Sequence, residues 1–292
     1  MLGVTTAKLD ARSSRTSSSD AIVDFYERKT DTIISRYGPG PRVHYHTGIL
    51  DGGPRSGTSH EELRSKLVIS QERLLEYASK AWRLASIPFR KVLDVGCGLG
   101  GGAIYWAQEF GAEVTGVTIA PSHLELIEVY AKLAGVGSLI RPLLCDAAEV
   151  PGRGLYDAAV AIDSSSSFER LPWFHSLHRL LRRSGSVFIF DCFLGRAEYE
   201  EPFNRHWCAR IGSIDEYLVA AKEAGFRLKQ IEDVSSRAFH FWSTTVALMR
   251  EEAAEKGRNY SALEESCRIH SLVQEALANG GLKHILMSFV RR

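Results

Sequence analysis

Three glycines at alternate positions follow an acidic residue in the segment VLDVGCGLGGG. Asp94 comes first, and Gly96, Gly98 and Gly100 follow it. Glycine reaches left-handed backbone angles at no steric cost, and it has no Cβ atom to hold a ligand away from the main chain. A pattern of this kind also suits a dinucleotide site or a structural turn. The GxGxG spacing, the acidic residue before it and the helix expected after it favour a loop that cradles a ligand.

Polar residues also end the apolar runs that come next along the chain. Thr118 and His123 follow the second run, Asp146 and Ala147 the third, and Asp163 the fourth, where a run of serines begins. In open α/β sheets, ligands bind beyond the carboxyl ends of the strands, which predicts that these residues surround one crevice. The alternatives are an exposed helix position for His123, a plain turn for Asp146 and a flexible connection for the serines.

A basic and aromatic group lies earlier in the chain, in the segment RVHYHTGIL. His44 and His46 flank Tyr45, and Arg42 precedes them. Such side chains can donate several hydrogen bonds to an anion or to a metal-bound diphosphate, and an HxH pair can also ligate a metal. Histidines are common in surface loops, so this segment by itself decides nothing.

Hydrophobic periodicity predicts the elements that must position these residues. It indicates helices over 21–37 and 60–86, separated by a loop rich in glycine and proline. From Lys91 onward the predicted order is strand KVLDV, helix AIYWAQEF, strand AEVTGVTI, helix HLELIEVYAKLAG, strand LIRPLLC, strand YDAAVAI, helix WFHSLHRLL and strand SVFIFDC. The chain then continues with a helix near 215–224, a strand RLKQIEDV, two helices over about 237–278 and a last strand KHILMSFV.

Short apolar strands that alternate with helices indicate βαβ units and a parallel sheet covered on both faces. The predicted fold class is therefore α/β, a Rossmann-like doubly wound sheet with an N-terminal helical segment and a helical lid before the last strand. The predicted organisation is a disordered tail over 1–20, a segment over 21–90 that covers the substrate site, and a core over 91–292 with lid helices at about 237–278.

Composition excludes several functional classes. The 292 residues are 45% hydrophobic and 24% charged, and the net charge of +1 creates no field that draws the protein to nucleic acid or to an anionic membrane. The five cysteines form no CxxC pair, which indicates free thiols in a reducing compartment. No apolar run approaches the roughly 18 to 20 residues of a membrane span. A cytoplasmic protein is expected, with a disordered N-terminal tail rather than a transit peptide.

The glycine loop and the strand order after it resemble motif I of the class I methyltransferases that use S-adenosylmethionine (SAM), over about residues 91–192. The resemblance implies that Asp94 contacts the methionine part of SAM and that Asp146 with Ala147 reads the adenine amino group. Thr118 stands where an acid usually grips the ribose, so His123 is expected to help hold it. The implied SAM-binding residues are Asp94, Gly96, Gly98, Gly100, Thr118, His123, Asp146, Ala147 and Asp163.

A looser similarity to geranyl diphosphate C-methyltransferases begins near residue 24. It rests on the segment HYHTG, on Glu169, on the pair His206–Trp207 and on the stretch Phe239–Trp242. That family has a further histidine where Val43 or Tyr45 stands here. The similarity implies methyl transfer to an alkene carbon of a prenyl diphosphate, geranyl diphosphate above all, with Mg²⁺ bound beside the diphosphate.

The implied mechanism follows from the weakness of an alkene as a nucleophile. The enzyme positions the double bond in line with the sulfonium methyl group, and aromatic rings stabilise the carbocation that results. Glu169 is the base expected to remove the proton. The implied catalytic residues are Glu169, Tyr45 and Trp207. The implied substrate-binding residues are Arg42, His44, His46, Arg196, Arg205, Phe239 and Trp242, with Arg210 as a further cation near the diphosphate.

Each of these assignments has an ordinary alternative. For the aromatic residues it is core packing, and for the arginines it is a solvated surface position. For the whole protein it is an O-, N- or C-methyltransferase of another small natural product, with a SAM-binding protein that lacks catalysis as a third class. The expected partner is a small isoprenoid diphosphate, with no nucleic acid and no membrane, and a homo-oligomer is left open.

Overall fold

Seven strands form one mixed sheet in the computed structural model, which describes residues 17–256 and 261–292. The strands are β1 Lys91–Val95, β2 Glu113–Thr118, β3 Ile140–Leu144, β4 Tyr156–Ile162, β5 Leu181–Leu194, β6 Phe226–Asp233 and β7 Leu282–Arg291. Their spatial order is β3-β2-β1-β4-β5-β7-β6. The first five strands pair in parallel, whereas β7 is antiparallel to both β5 and β6. The predicted doubly wound α/β class is confirmed, but the antiparallel direction of β7 was not predicted.

Alternate residues of the central strands enter two separate cores. In β4, Ala158 and Val160 pack into the core on one face of the sheet, and Ala159 and Ala161 pack into the core on the other. This double burial explains why the strand sequence is a continuous apolar run. It also sets the register, because a slip by one residue would exchange the two sets of side chains.

Helices cover both faces of the sheet. In the described ranges they are α1 Ser17–Tyr37, α2 His60–Ala81, α3 Gly101–Phe110, α4 Pro121–Leu133, α5 Arg170–Leu180, α6 Glu200–Trp207, α7 Ile214–Glu223, α8 Ser235–Lys256 and α9 Ser261–Asn279. Within those ranges no helix has both the length and the apolar character needed to cross a membrane. The two helices predicted as a lid, α8 and α9, pack together, and α8 also packs against α2.

Three features differ from the predicted elements. Residues 1–16 of the predicted tail lie outside the described residues, but residues 17–20 begin α1, so a tail that reaches residue 20 is wrong. Helix α2 ends at Ala81 rather than at residue 86, because Arg83 has a left-handed backbone (φ 55°) and a short 3₁₀ turn follows. Helix α6 was not predicted; it is only eight residues long and has a single fully buried side chain, Phe203.

The loop between α1 and α2 is attached to α2 by hydrogen bonds. The Ile49 amide donates to the Ser70 carbonyl oxygen at 3.1 Å, and Gln71 Nε2 donates to the His46 carbonyl oxygen at 2.8 Å. Gly48 lies so close to the helix that a Cβ atom there would stand 2.7 Å from the Ser70 carbonyl carbon. This close approach holds the part of the loop that carries His46.

We expect Gly48→Ala to lower the free energy of unfolding by about 1–3 kcal/mol, the usual cost of overpacking. Gly52→Ala is the matched control in the same loop, because nothing lies within 4 Å of a Cβ added there. The control should stay within about 0.5 kcal/mol of the wild type. Urea denaturation of the three proteins measures both effects, and equal midpoints for the two variants would show that the Gly48 contact is not tight.

Candidate active site

A cavity of about 710 Å³, here called the large cavity, opens at the carboxyl ends of β1, β2, β3 and β4. Parts of four segments line it on the sheet side, namely 94–102, 117–123, 144–149 and 162–173. Helix α1 and the loop before α2 close the opposite side. The strand order reverses between β1 and β4, which is the point where open α/β sheets bind their ligands.

The glycine loop has the left-handed backbone that its sequence predicts. The φ angle is 73° at Gly96, 54° at Gly98 and 85° at Gly100. Gly96 and Gly98 line the large cavity, whereas Gly100 caps the start of α3 and faces Ile127. A Cβ atom at Gly96 would stand 2.5 Å from the Cβ of Ser164, but one at Gly98 would enter open space. Protein therefore fills the space beside Gly96, and the space beside Gly98 is left for a ligand.

Asp94 presents a buried carboxylate to the large cavity. The residue is 3% exposed, and among the described residues its Oδ2 atom finds no hydrogen-bond partner. Burial raises the pKa of Asp94 to about 7, because the ionised form loses its hydration. A buried acceptor without a partner is costly, so a ligand that brings a donor, and above all a cationic donor, binds favourably here.

The other residues predicted to hold the cofactor also line the large cavity. They are Thr118, His123, Asp146, Ala147 and Asp163. His123 is 2% exposed and its Nε2 atom lies 3.1 Å from Thr30 Oγ1 on α1, which excludes the alternative of an exposed helix residue. Asp146 Oδ1 accepts a hydrogen bond from the Ala148 amide at 2.9 Å, so Asp146 also shapes the turn after β3.

A second cavity of about 110 Å³, here called the inner cavity, adjoins the large one. The residues that line both cavities form the junction between them: Tyr26, Tyr45, His46, Asp163 and Ser167. Beyond the junction the lining includes Asp191, Trp207, Trp242, His270 and His284. Among the described residues that line the inner cavity there is no lysine or arginine. The inner cavity therefore suits a neutral or positive group better than an anion.

Aromatic rings cover much of the inner cavity. Tyr45, Trp207 and Trp242 line it, and the ring centroids of the two tryptophans lie 5.9 Å apart. Phe239 lies outside both cavities, contrary to its predicted place at the substrate, and Phe241 lines the inner cavity instead. The two residues point in nearly opposite directions because each step along a helix turns by about 100°.

The histidines of the inner cavity are neutral. Burial lowers the pKa of His46, His270 and His284 to about 3 in each case. His46 Nδ1 donates to the Thr47 carbonyl oxygen at 2.9 Å, and His284 Nε2 lies 3.2 Å from Thr47 Oγ1. The second ring nitrogen of His46, like that of His284, has no partner in the described part of the chain. These rings can accept or donate a hydrogen bond without carrying charge.

The structure does not bring Arg42 into either cavity. Its guanidinium group pairs with Glu72 at 2.9 Å and with Glu109 at 2.8 Å, on α2 and α3. His44 borders the large cavity, but its Nε2 atom also lies 2.8 Å from Glu72. Carboxylates of the protein, rather than a substrate anion, occupy the donors of Arg42, which corrects its predicted role in substrate binding.

Arg196 and Arg205 also lie outside both cavities, so their predicted role at the substrate is corrected in the same way. Arg196 stands 3.9 Å from Glu198 and Arg205 3.1 Å from Glu201, and the arginine side chains are 52% and 72% exposed. Both have the solvated position that the sequence left as the alternative. Arg210, by contrast, borders the large cavity.

Glu169 stands at the rim of the large cavity. It immediately precedes α5, and its Oε1 atom lies 2.9 Å from Arg210 Nη1. The Glu169 side chain is 64% exposed and does not line the inner cavity. Glu169 thus lies in a different cavity from Trp207 and Trp242, and its role as a base stays a prediction.

The donors expected around Mg²⁺ are not clustered. Within residues 17–256 and 261–292, no three side chains of histidine, cysteine, aspartate or glutamate come together as a metal site. Mg²⁺ is commonly held by one or two carboxylates together with substrate phosphates and water. The described residues alone do not form a resident magnesium site.

Two comparisons with known proteins bear on this geometry. Residues 92–185 match the family model described as a methyltransferase domain. A geranyl diphosphate methyltransferase solved in complex with geranyl diphosphate and sinefungin superposes with a TM-score of 0.79 at 21% identity, over 94% of this chain and 100% of that one. The chain has the class I methyltransferase fold. The matched residues include the glycine loop of the large cavity together with β2, β3 and β4.

Curated relatives resemble this chain over most of its length. The 24-methylenesterol C-methyltransferase 3 of Arabidopsis thaliana is 23% identical over 236 residues, which are 76% of this chain and 61% of that protein. The geranyl diphosphate 2-C-methyltransferase of Streptomyces lasalocidi is 25% identical over 209 residues, which are 68% of this chain and 69% of that protein. This chain therefore spans less than two thirds of the sterol enzyme's length.

The residues that line the large cavity fit SAM. Asp94 offers its unsatisfied carboxylate to the ammonium group, and Gly98 leaves the main chain accessible. Thr118 ends β2 and His123 lies in α4, where the ribose is expected. Asp146 follows β3, where the adenine is expected. The large cavity thus has the donors, acceptors and space for this cofactor.

Several residues of the site were not predicted from the sequence. Asp191 follows the apolar run VFIF inside β5, so the rule about polar residues after apolar runs could have found it. Tyr26 on α1 and His284 on β7 have no such local signal. They reach the inner cavity only because distant parts of the chain pack together.

Proposed function

We propose that this chain transfers a methyl group from SAM to an alkene carbon of an isoprenoid substrate, and that this substrate is a prenyl diphosphate, with geranyl diphosphate the first to test. The observation that carries the proposal is the inner cavity, which adjoins the proposed SAM site and is lined by aromatic rings and carboxylates without a described cation. Such a lining stabilises positive charge, which methyl transfer to an alkene generates.

Under this proposal the large cavity binds SAM, and the inner cavity binds the part of the substrate that becomes positively charged. Bound SAM supplies an electrophilic methyl group. Tyr26, Tyr45 and Asp163 surround the junction and orient the double bond towards that methyl group. The faces of Trp207 and Trp242 stabilise the developing cation by about 0.5–2 kcal/mol each, because the quadrupole of an aromatic ring attracts positive charge.

The diphosphate belongs in the large cavity under this proposal. The inner cavity is lined by Asp163 and Asp191, which repel an anion, while Arg210 borders the large cavity. Arg210 pairs with Glu169, and exchange of that partner for a phosphate keeps its positive charge compensated. A prenyl chain that extends from there into the inner cavity places its double bond at the junction.

The test is a panel of substrates with methyl-labelled SAM, analysed by mass spectrometry. We expect methylated alkene from geranyl diphosphate and little product from geraniol. We also expect chelation with EDTA to stop turnover and Mg²⁺ to restore it, because a diphosphate needs a cation in a protein whose formal net charge is +1. Equal rates with geraniol, or full activity after exhaustive chelation, would contradict the diphosphate substrate.

An amine is the second candidate for the methyl acceptor. Buried carboxylates beside aromatic faces also suit an ammonium group, and the described lining of the inner cavity combines both. The same panel therefore includes small amines, including amino acids and their N-methyl derivatives. A product with the label on nitrogen, formed without Mg²⁺, would replace the alkene proposal with N-methylation.

A further inference from the structure

Two aspartates lie side by side at the wall of the inner cavity. Asp163 follows β4 and Asp191 lies in β5, and the Asp163 amide donates to the carbonyl oxygen of Phe190 at 2.7 Å. Both aspartates line the inner cavity, but Asp163 also lines the large cavity. Asp163 is therefore the carboxylate placed at the junction, where the methyl group and the acceptor carbon meet under the proposed function.

The two carboxylates differ in how well they are hydrogen-bonded. Asp191 is 2% exposed, and its oxygens accept from Ser165 Oγ at 2.6 Å, the Ser166 amide at 3.0 Å and the Cys192 amide at 2.8 Å. Asp163 Oδ2 accepts from the Thr47 amide at 2.5 Å, while its Oδ1 atom has no partner in the described ranges. Asp163 thus keeps the free acceptor capacity of the pair.

The backbone of Asp163 is unusual as well. Its φ angle is 45°, in the left-handed region that a residue with a side chain rarely adopts. Such a conformation is unfavourable for a residue with a Cβ atom and often marks a functional position. Here it directs the chain from the end of β4 into the serine segment and leaves the Asp163 side chain at the junction.

The surroundings of Asp163 favour uptake of a proton. Burial and the neighbouring carboxylate of Asp191 raise the pKa of Asp163 above its usual range, and burial raises the pKa of Asp191 as well. The other titratable groups that line the inner cavity are uncharged, because burial raises the pKa of the tyrosines and of the cysteine and lowers the pKa of the histidines. They are Tyr26 and Tyr37 from α1, Tyr45 and His46 from the loop after it, Cys192 from β5, His270 from α9 and His284 from β7. None of them offsets the negative charge of the pair.

We propose that Asp163 accepts the proton that the methylated substrate loses, and that Asp191 is a positioning residue that increases its basicity. This inference rests on the proposed alkene methylation. The C–H bond next to the cationic carbon breaks, its electron pair forms the new double bond, and the proton binds a carboxylate oxygen of Asp163. The sum is one methyl group gained by the alkene and one proton released, with neutral S-adenosylhomocysteine sulfur left from the sulfonium.

Asp163 is better placed for this step than the base predicted from the sequence. Glu169 is largely solvated and paired with Arg210 at the rim, outside the inner cavity. A base in contact with bulk water exposes the cation to capture by water, which gives an alcohol instead of an alkene. Asp163 lies at the junction of the two cavities instead of the solvated rim, so it is beside the carbon from which the proton leaves.

The decisive comparison is Asp163→Asn against Glu169→Gln, with the exposed Asp215→Asn on α7 as a matched control. Single-turnover assays with geranyl diphosphate and labelled SAM report the rate and the product, and calorimetry reports SAM affinity. We expect Asp163→Asn to slow alkene formation by about 10²- to 10⁴-fold, the contribution of a positioned base. The remaining methylated product should shift towards the alcohol formed by water capture. Asp215→Asn should match the wild type.

Asp191→Asn provides a second readout that does not depend on the first variant. Asp191 does not line the large cavity, so SAM binding should be retained. Loss of its negative charge lowers the pKa of Asp163, so the acidic limb of the rate–pH profile should move to lower pH. An acidic limb that does not shift would overturn the role of Asp163. Activity of Asp163→Asn within threefold of the wild type, with the same alkene product, would do the same. Either result would leave the proposed function intact. Wild-type protein that forms no methylated alkene would overturn the proposed function and this inference together.

Discussion

We expect Gly98→Val to abolish SAM binding in a protein that remains folded. Gly98 has a left-handed backbone (φ 54°), and a side chain added there meets no protein atom within 4 Å and points into open space of the large cavity. A valine would fill the space that the ligand needs and would also strain the turn. Isothermal titration calorimetry should show no detectable heat of SAM binding.

Gly111→Val is the matched control for this variant. Gly111 has a similar φ angle of 61° and equally open surroundings, but it follows α3 at a distance from the large cavity. Both variants therefore carry the same backbone strain and should lose similar thermal stability. Only Gly98→Val should lose SAM. Normal SAM affinity in folded Gly98→Val would contradict the assignment of the glycine loop as the cofactor loop.

Asp94→Asn should weaken SAM binding by about 10- to 100-fold, because a hydrogen bond to a charged group contributes about 1.5–3 kcal/mol. The amide keeps the size of the side chain and removes the negative charge that pairs with an ammonium group. In the wild type the pKa of Asp94 is raised to about 7 by burial, so SAM must displace a proton from it below that pH. Wild-type affinity should therefore fall as the pH is lowered from about 7, approaching tenfold per pH unit. Affinity of Asp94→Asn should change much less.

Unfolding without SAM gives an independent check of the same group. A carboxyl group whose pKa is higher in the folded than in the unfolded state stabilises the fold at low pH, and that contribution is lost as the pH rises through the folded pKa. For Asp94 this contribution to the free energy of unfolding is lost between about pH 4 and about pH 7, and it amounts to at most about 4 kcal/mol. Asp163 also has a raised pKa, so the difference between wild type and Asp94→Asn isolates Asp94. Identical pH dependence of unfolding and of SAM affinity in the two proteins would show that Asp94 is not the ammonium partner.

The sequence by itself determined the α/β class and the framework of the cofactor site. Strands such as YDAAVAI are recognised because burial on both faces demands an unbroken apolar run. The glycine loop is recognised because left-handed turns and close ligand approach demand glycine at particular positions. Thr118, Asp146 and Asp163 followed from the rule that strand ends face one crevice, and all three line the large cavity. Each of these signals is local in the chain.

Tertiary structure decided which side chains meet on the substrate side. Arg42 is drawn to Glu72 and Glu109 on neighbouring helices, and no local pattern shows which carboxylates will stand beside an arginine. The inner cavity takes Phe241 rather than Phe239, because the helical phase of α8 is set by its packing against α2 and α9. Asp163 and Asp191 become a pair only when β4 and β5 lie side by side. Burial, charge neighbours and helix rotation depend on contacts between distant segments, and those contacts are what the fold adds to the sequence.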